Sequence, residues 1–288
     1  MYKVAILGCE NSHANSFLDA VINRKLVTDI EFVGVYSYDR EAAEKLHEQF
    51  GVYVADSYDE FVGKVDGIMI TARHGDHHYE YAKPYIESGI PMFIDKPITC
   101  TEEDAAEFMA ILKEKQIPVS GGSMLVFTET VKKLKEVVES GSCGEVMSGF
   151  LKMPIDKKNP YGDFHFYSQH IVQSMMAIFG YNPRSVKMDE KGDTYSCLVK
   201  YDNYDVMLAM TQKSHYYYGG VFGRDSFVAE QCDLSGCSDQ ELLEFRELFD
   251  TRKTACSYEL FFAPVYVINA MDRSIKSGKE EPVIKYEV

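Results

Sequence analysis

Two stretches of this 288-residue sequence carry residues whose types and spacing suit chemistry. The first is KVAILGCENSHA, Lys3 to Ala14, an apolar strand pattern that runs into a glycine and then into a helix start. Such a junction binds phosphate, because the glycine allows a tight turn and the amides of the first helical turn point at an anion. Dinucleotide turns use three glycines, for the turn, for close approach to pyrophosphate and for helix–strand packing. Gly8 stands in the first place, Glu10 in the second and His13 in the third. Gly8, Cys9, Asn11 and Ser12 are the candidate phosphate-side residues, and a protonated His13 adds a favourable charge. A Glu10 carboxylate turned inward repels phosphates in a partly desolvated site. Turned outward, it sits well in a helix's first turn. The second stretch is RHGDHH, Arg73 to His78. His74, Asp76, His77 and His78 are ligand types for zinc or iron. Adjacent His77 and His78 face different ways on a helix, however, and no metal is expected.

The elements that must hold these residues follow from periodicity. Short β-rich runs at Val4–Leu7, Ile30–Tyr36, Gly67–Thr71, Met92–Ile94 and Ile117–Ser120 alternate with helical patterns such as Arg40–Phe50 and Thr101–Lys115. Thr101 with Asp104 reads as a capped helix start, and Ser57 with Glu60 as another. Strands alternating with helices predict βαβ units, a parallel sheet covered on both faces, and ligands at the carboxyl ends of the strands. Gly8, Thr71–His74 (with Ala72) and Asp95–Pro97 all stand at such ends. Ser37 and Tyr38 follow the second strand, where an acid normally takes the ribose hydroxyls of NAD. Ser37 offers one hydrogen bond and Tyr38 a ring for adenine, a pair that does not choose between NAD and NADP.

After Gly122 the pattern changes. A helix over Phe127–Glu139 precedes β-rich runs at Val146–Met153, Ser185–Met188, Thr194–Tyr201 and Asp205–Gln212, with the amphipathic segment Tyr167–Phe179 between them and a final helix over Ser257–Lys276. Short connections such as Asp202–Tyr204 predict hairpins. The expected fold is α/β: a doubly wound Rossmann domain over residues 1–122, then an α+β domain over 123–288 with an open, mainly antiparallel sheet. A formal charge of −15 argues against nucleic acid as a partner. Met1 leads straight into a strand, and no apolar run approaches the roughly 20 residues of a membrane span, so neither a signal peptide nor a membrane partner is expected. Seven cysteines without a CxxC pair read as reduced thiols of a cytoplasmic protein.

Four ordered stretches carry a resemblance: YSYDREAAEKLHEQFGV after the second strand, FIDKPIT at a strand end, GSCGEV at the opening of the second domain, and HIVQSMMAIFG on its helix. Together they resemble the glucose-fructose oxidoreductase/inositol dehydrogenase (Gfo/Idh/MocA) family over nearly the whole chain. The resemblance implies hydride transfer between NAD or NADP and a small hydroxylated or carbonyl compound, sugar- or cyclitol-like. It makes Lys96 of DKP the family lysine, touching cofactor and substrate oxygen, and His170 of SQHIV the family histidine that exchanges the substrate proton. Tyr161, Asp163 and His165 join His170 as substrate-side candidates, and His74 joins the cofactor side with Ser37, Thr71, Ala72 and Lys96. It also implies a homo-oligomer, dimer or tetramer, paired through the second-domain sheet.

Departures from the family pattern keep other readings open. Phe166 stands where an Asp often orients the histidine, leaving Asp163 or His165 as substitutes. GSMLV places Met124 and Val126 where polar substrate contacts are common. The alternatives are a nucleotide- or ligand-binding regulator without turnover, and a lyase or hydrolase that uses NAD transiently.

Overall fold

Apolar residues in the first strands come in continuous runs, as a sheet buried on both faces requires. In the computed structural model, which describes residues 1–284, this prediction becomes β1 (Tyr2–Leu7), α1 (Ser12–Ile22), β2 (Ile30–Tyr36), α2 (Arg40–Phe50), β3 (Gly67–Ile70), α3 (Asp76–Ala82), β4 (Met92–Asp95), α4 (Glu102–Lys115) and β5 (Val119–Gly122). The five strands form one parallel sheet in the order β2-β1-β3-β4-β5. The chain leaves β1 toward β2 and returns to the other side with β3, so the crevice of this unit lies where the β1 and β3 ends diverge. Asn11 caps α1 by accepting from the His13 amide, and Thr101 caps α4 by accepting from the Asp104 amide.

The second unit contains α5 (Glu129–Ser140), β6 (Val146–Pro154), α6 (Phe164–Phe179), β7 (Ser185–Lys191), β8 (Thr194–Lys200), β9 (Asp205–Thr211), β10 (Tyr218–Gly223) and β11 (Phe227–Gln231). Two further helices, α7 (Cys237–Thr251) and α8 (Tyr258–Ser277), and β12 (Glu280–Pro282) complete the described chain. The second sheet runs β11-β10-β6-β9-β8-β7-β12, with β6 and β9 parallel and the other pairs antiparallel. One face packs on α6 through Ile171, Val172, Met175 and Met176, against Val206, Leu208 and Met210 of β9.

Two features differ from expectation. The first unit comprises Met1–Gly122 together with Ser238–Phe261, whereas the sequence reading assigns all of 123–288 to the second domain. The reason is α7, whose Leu242, Phe245 and Leu248 enter the core of the first sheet. Gly67 leaves room for this helix, since a Cβ there would meet the Phe249 ring at 2.6 Å. The start expected at Ser57 opens turns instead of a helix. Ser57 bonds Asp59, and Gly63 follows at φ +72°. Among the described residues no helix is long and apolar enough to cross a membrane.

Candidate active site

The β1–α1 turn is built as a phosphate-binding turn. Gly8 has φ +78°, and a Cβ there would sit 2.5 Å from the Ala72 backbone, so only glycine lets the β1 and β3 ends approach this closely. The Thr71 hydroxyl donates to the Gly8 carbonyl at 3.0 Å, and the Gly8 amide donates to Tyr36 at 2.7 Å, tying three strand ends together. Cys9 is buried beside it, and burial pushes its thiol up to about 12, so it stays protonated at neutral pH.

Neither residue that replaces a glycine spends its side chain on the first-turn amides of α1. The Glu10 carboxylate accepts from the Ser37 hydroxyl at 2.7 Å and from the Arg73 amide at 3.0 Å. The His13 ring turns into the interior, where Nδ1 makes an ion-pair contact with Asp95 at 3.1 Å and lies 3.8 Å from Glu241 of α7. The turn therefore fits a dinucleotide: Gly8, Asn11 and Ser12 would face the pyrophosphate, with Thr71 and Ala72 beside them at the β3 end.

Asp95 is the hub behind Lys96. Its carboxylate accepts from the Asn11 side-chain amide at 2.8 Å and from the Lys96 backbone amide at 2.7 Å. Burial alone would raise this carboxyl, but His13 and Lys96 overcome it and hold it below the usual carboxylate range. Burial likewise opposes a charge on His13, yet Asp95 and Glu241 outweigh it and raise the ring above an ordinary histidine. Glu241 is fully buried, and neither of its oxygens has a hydrogen-bond partner among the described residues. Burial, countered by His13 and reinforced by Asp95, lifts it to about 8. The network fixes the turn from which Lys96, only 5% exposed, projects.

The RHGDHH run splits into separate roles. His78 is fully buried, neutral, and donates from Nε2 to the Ala72 carbonyl at 2.8 Å. His77 stacks on Tyr81 at 5.3 Å and contacts the Tyr38 ring at 5.4 Å. His74 and Asp76 meet Cys100, with one ligand atom of each within 4.8 Å of the others. Burial and the Asp76 carboxylate push the Cys100 thiol up to about 12, which leaves a protonated thiol beside Asp76 rather than a ready thiolate ligand.

In the second unit His170 is buried on α6, and its Nδ1 is hydrogen-bonded to the Ser123 hydroxyl at 2.8 Å. Gln173, one turn along, accepts from the Ser123 amide at 2.8 Å and from the Gln169 side-chain amide at 3.0 Å. The Tyr167 ring lies edge-on to the imidazole at 5.5 Å. Asp163 is engaged in its own loop, accepting from the Asn159 amide at 2.9 Å, and His165 packs edge-on to Phe164. Tyr161 contacts the Phe166 ring at 5.3 Å. The Ser123 hydroxyl is thus a group that orients the imidazole, alongside the sequence candidates Asp163 and His165.

Residues 2–123 match the model of an oxidoreductase family with an NAD-binding Rossmann fold, GFO_IDH_MocA. Residues 2–123 are thus similar to the NAD-binding domain of that family. The uncharacterized oxidoreductase YhhX of Escherichia coli K12 is 26% identical over 73% of this chain and 64% of its own length. An uncharacterized oxidoreductase of Streptococcus pneumoniae is 30% identical over 38% of this chain and 30% of its own. The chain therefore spans less than two thirds of either relative. Among solved structures, the myo-inositol dehydrogenase of Lactobacillus casei, in complex with NAD(H) and myo-inositol, superposes with a TM-score of 0.86 at 14% identity, over 100% of this chain and 98% of that one. The myo-inositol 2-dehydrogenase of Lactobacillus plantarum gives 0.86 at 14% identity, over 98% and 99%. At this identity the likeness speaks for the fold, a Rossmann domain followed by an open, mainly antiparallel sheet.

The first unit places Gly8, Cys9, Asn11, Ser12, His13, Ser37, Thr71, Ala72, His74 and Lys96 at strand ends or helix starts. The second holds Tyr161, Asp163, His165 and His170 at the start and first turns of α6. Sequence reasoning missed Ser123, Gln173 and Glu241. GSMLV marks the first, since its serine follows the strand-end glycine, whereas nothing in ELLEF marks the buried acid.

Proposed function

We propose that this chain is an NAD- or NADP-dependent dehydrogenase or reductase acting on a small hydroxylated or carbonyl compound of the sugar or cyclitol kind. The supporting observation is the buried Lys96, held at the end of β4 by an Asp95 network, in a unit of an NAD-binding family. A bound nicotinamide supplies the hydride acceptor. The Lys96 ammonium stabilises the negative charge that develops on the substrate oxygen as hydride leaves. His170, hydrogen-bonded through Nδ1 to the Ser123 hydroxyl, takes the hydroxyl proton as the base. The solved cyclitol dehydrogenases of the same fold support this substrate class.

Titration of NADH and NADPH into the purified protein, read by nicotinamide fluorescence, tests the cofactor. Appearance of reduced nicotinamide with a panel of cyclitols and aldoses then tests the reaction. Saturable binding followed by turnover of at least one polyol is expected. Binding without turnover of any hydroxy or carbonyl compound would favour a regulator, and absence of binding would sink the dehydrogenase reading.

We further infer a homo-oligomer, dimer or tetramer, paired through the second sheet. The face of this sheet away from α6 exposes Met207 (50%) and Phe227 (67%), with Phe150 paired opposite Met207 and Phe222 opposite Phe227. An apolar face of this kind marks an interaction site. Sedimentation velocity should show a dimer or larger, and the double variant Met207→Lys/Phe222→Lys should shift it toward monomer. A wild-type monomer at micromolar concentration would refute the pairing. We place the protein in the cytoplasm, in keeping with its seven free cysteines.

A further inference from the structure

Glu10 occupies the place where a dinucleotide turn has its second glycine, yet its carboxylate belongs to a different part of the site. It is bonded to the hydroxyl of Ser37, the residue that directly follows β2, and to the amide of Arg73 beyond β3. The end of the second strand is where dinucleotide-binding folds present the acid that accepts the ribose hydroxyls. This chain has no acid at position 37 and has one at position 10, reaching the same strand end from the neighbouring turn. Ser37 holds that acid in place, since its hydroxyl oxygen accepts from the Asp39 amide at 3.1 Å and its single proton goes to Glu10. Each carboxylate oxygen then accepts one bond from the protein and keeps a lone pair for another donor.

We propose that Glu10 is the ribose-recognising acid of this chain and that it selects NAD over NADP. The proposal rests on the cofactor of the dehydrogenase reading and extends it to the choice between the two dinucleotides. A carboxylate held in this way accepts from the ribose hydroxyls of NAD. The 2′-phosphate of NADP would bring a like charge against it, in a half-buried site where such repulsion is weakly screened. The arginine that follows β2 does not offset this charge, because Arg40 is paired with Glu44 at 2.8 Å and with Asp56 at 3.0 Å. Arg73 meets Glu10 through its backbone amide. Tyr38, half exposed beside Ser37, presents a ring next to the same strand end.

The test is the ratio of dissociation constants for NADH and NADPH, measured by nicotinamide fluorescence on the full chain as wild type, Glu10→Gln and Ser37→Ala. Wild type is expected to favour NADH by about tenfold or more. Glu10→Gln, which keeps an acceptor for Ser37 and a similar shape, should narrow the ratio to about threefold or less, chiefly by tightening NADPH. Ser37→Ala removes the anchor and keeps the charge, so it should weaken NADH several-fold while preserving the preference. Equal affinities in wild type, or an unchanged ratio in Glu10→Gln, would overturn the assignment while leaving the dehydrogenase reading intact. Binding that appears only in Glu10→Gln would also overturn it, by showing that Glu10 excludes dinucleotides. If neither nucleotide binds to any of the three proteins, with each folded by its melting transition, the dehydrogenase reading falls and this assignment with it.

Discussion

Lys96→Ala should lower kcat by about two to three orders of magnitude on whichever polyol the protein turns over, while NADH titration remains saturable. The magnitude is that of removing one preorganised donor from an oxygen on which charge develops. The fold should tolerate the change, because the Lys96 backbone amide still donates to Asp95 at 2.7 Å in the variant. Ser123→Ala is expected to cost about tenfold, since His170 keeps its place on α6 and its edge contact with Tyr167 but loses the bond that sets its tautomer. The pH profile of kcat/KM separates the two roles: Ser123→Ala should move the acidic limb, where His170 as the base is lost by protonation, and Lys96→Ala should lower the whole profile. Ser123→Thr, which keeps the hydroxyl, should restore most of the loss. Wild-type turnover in Lys96→Ala would refute the role given to that residue.

How much of this is legible in the sequence depends on where the information sits. Ile30–Tyr36 and Arg40–Phe50 are read with the bounds the structure shows, because each carries its own period, and Asp39 and Gly51 punctuate the helix. The glycine turn, Lys96 and His170 likewise follow from local spelling and its order along the chain. What local spelling cannot carry is a return of the chain. Leu242, Phe245 and Leu248 have helical spacing, but nothing in them says that α7 goes back to the first sheet rather than onto the second. The strand Tyr218–Gly223 escapes the sequence for a related reason. Its glycines argue against a strand, yet Gly219 and Gly220 are small because Leu134 and Ala229 crowd them. The same limit hides the site's supports. Ser123 meets His170 across 47 residues and Asn11 meets Asp95 across 84, distances over which no periodicity speaks. Glu10, read in isolation, has two possible directions, and its partners Ser37 and Arg73 choose a third.

Those hidden supports set the second large effect. Asp95→Ala removes the carboxylate that pairs with His13 and accepts from Asn11 and Lys96. Leaving a buried charge unpaired costs about 3–5 kcal/mol. The expected loss is at the lower end, about 3 kcal/mol, because Glu241 lies 3.8 Å from the same His13 nitrogen and can ionise to take over. This makes the cycle non-additive. Glu241→Gln alone should be stabilising near pH 6, because it removes a carboxyl that ionises on unfolding but is held protonated in the fold, whereas in the Asp95→Ala background it removes the reserve partner. The double variant should therefore fall below the sum of the singles by more than about 1 kcal/mol. The pH dependence follows from the directions of the shifts. Asp95 is held low, so its stabilisation is present above the unfolded carboxylate value and is lost as pH falls through its folded value. His13 and Glu241 are held high, so theirs is full below their unfolded values and is lost as pH rises through the folded ones. Wild-type stability should thus fall as pH rises from the unfolded carboxyl and imidazole values toward the raised folded ones, a decline that starts on the acidic side of neutrality, and Glu241→Gln should flatten it. Urea midpoints of the transition that unfolds the first unit, taken from mildly acidic to alkaline pH, measure both effects. An additive cycle, or a decline with rising pH unchanged in Glu241→Gln, would show that Glu241 is not part of the network that holds His13 and the Lys96 turn.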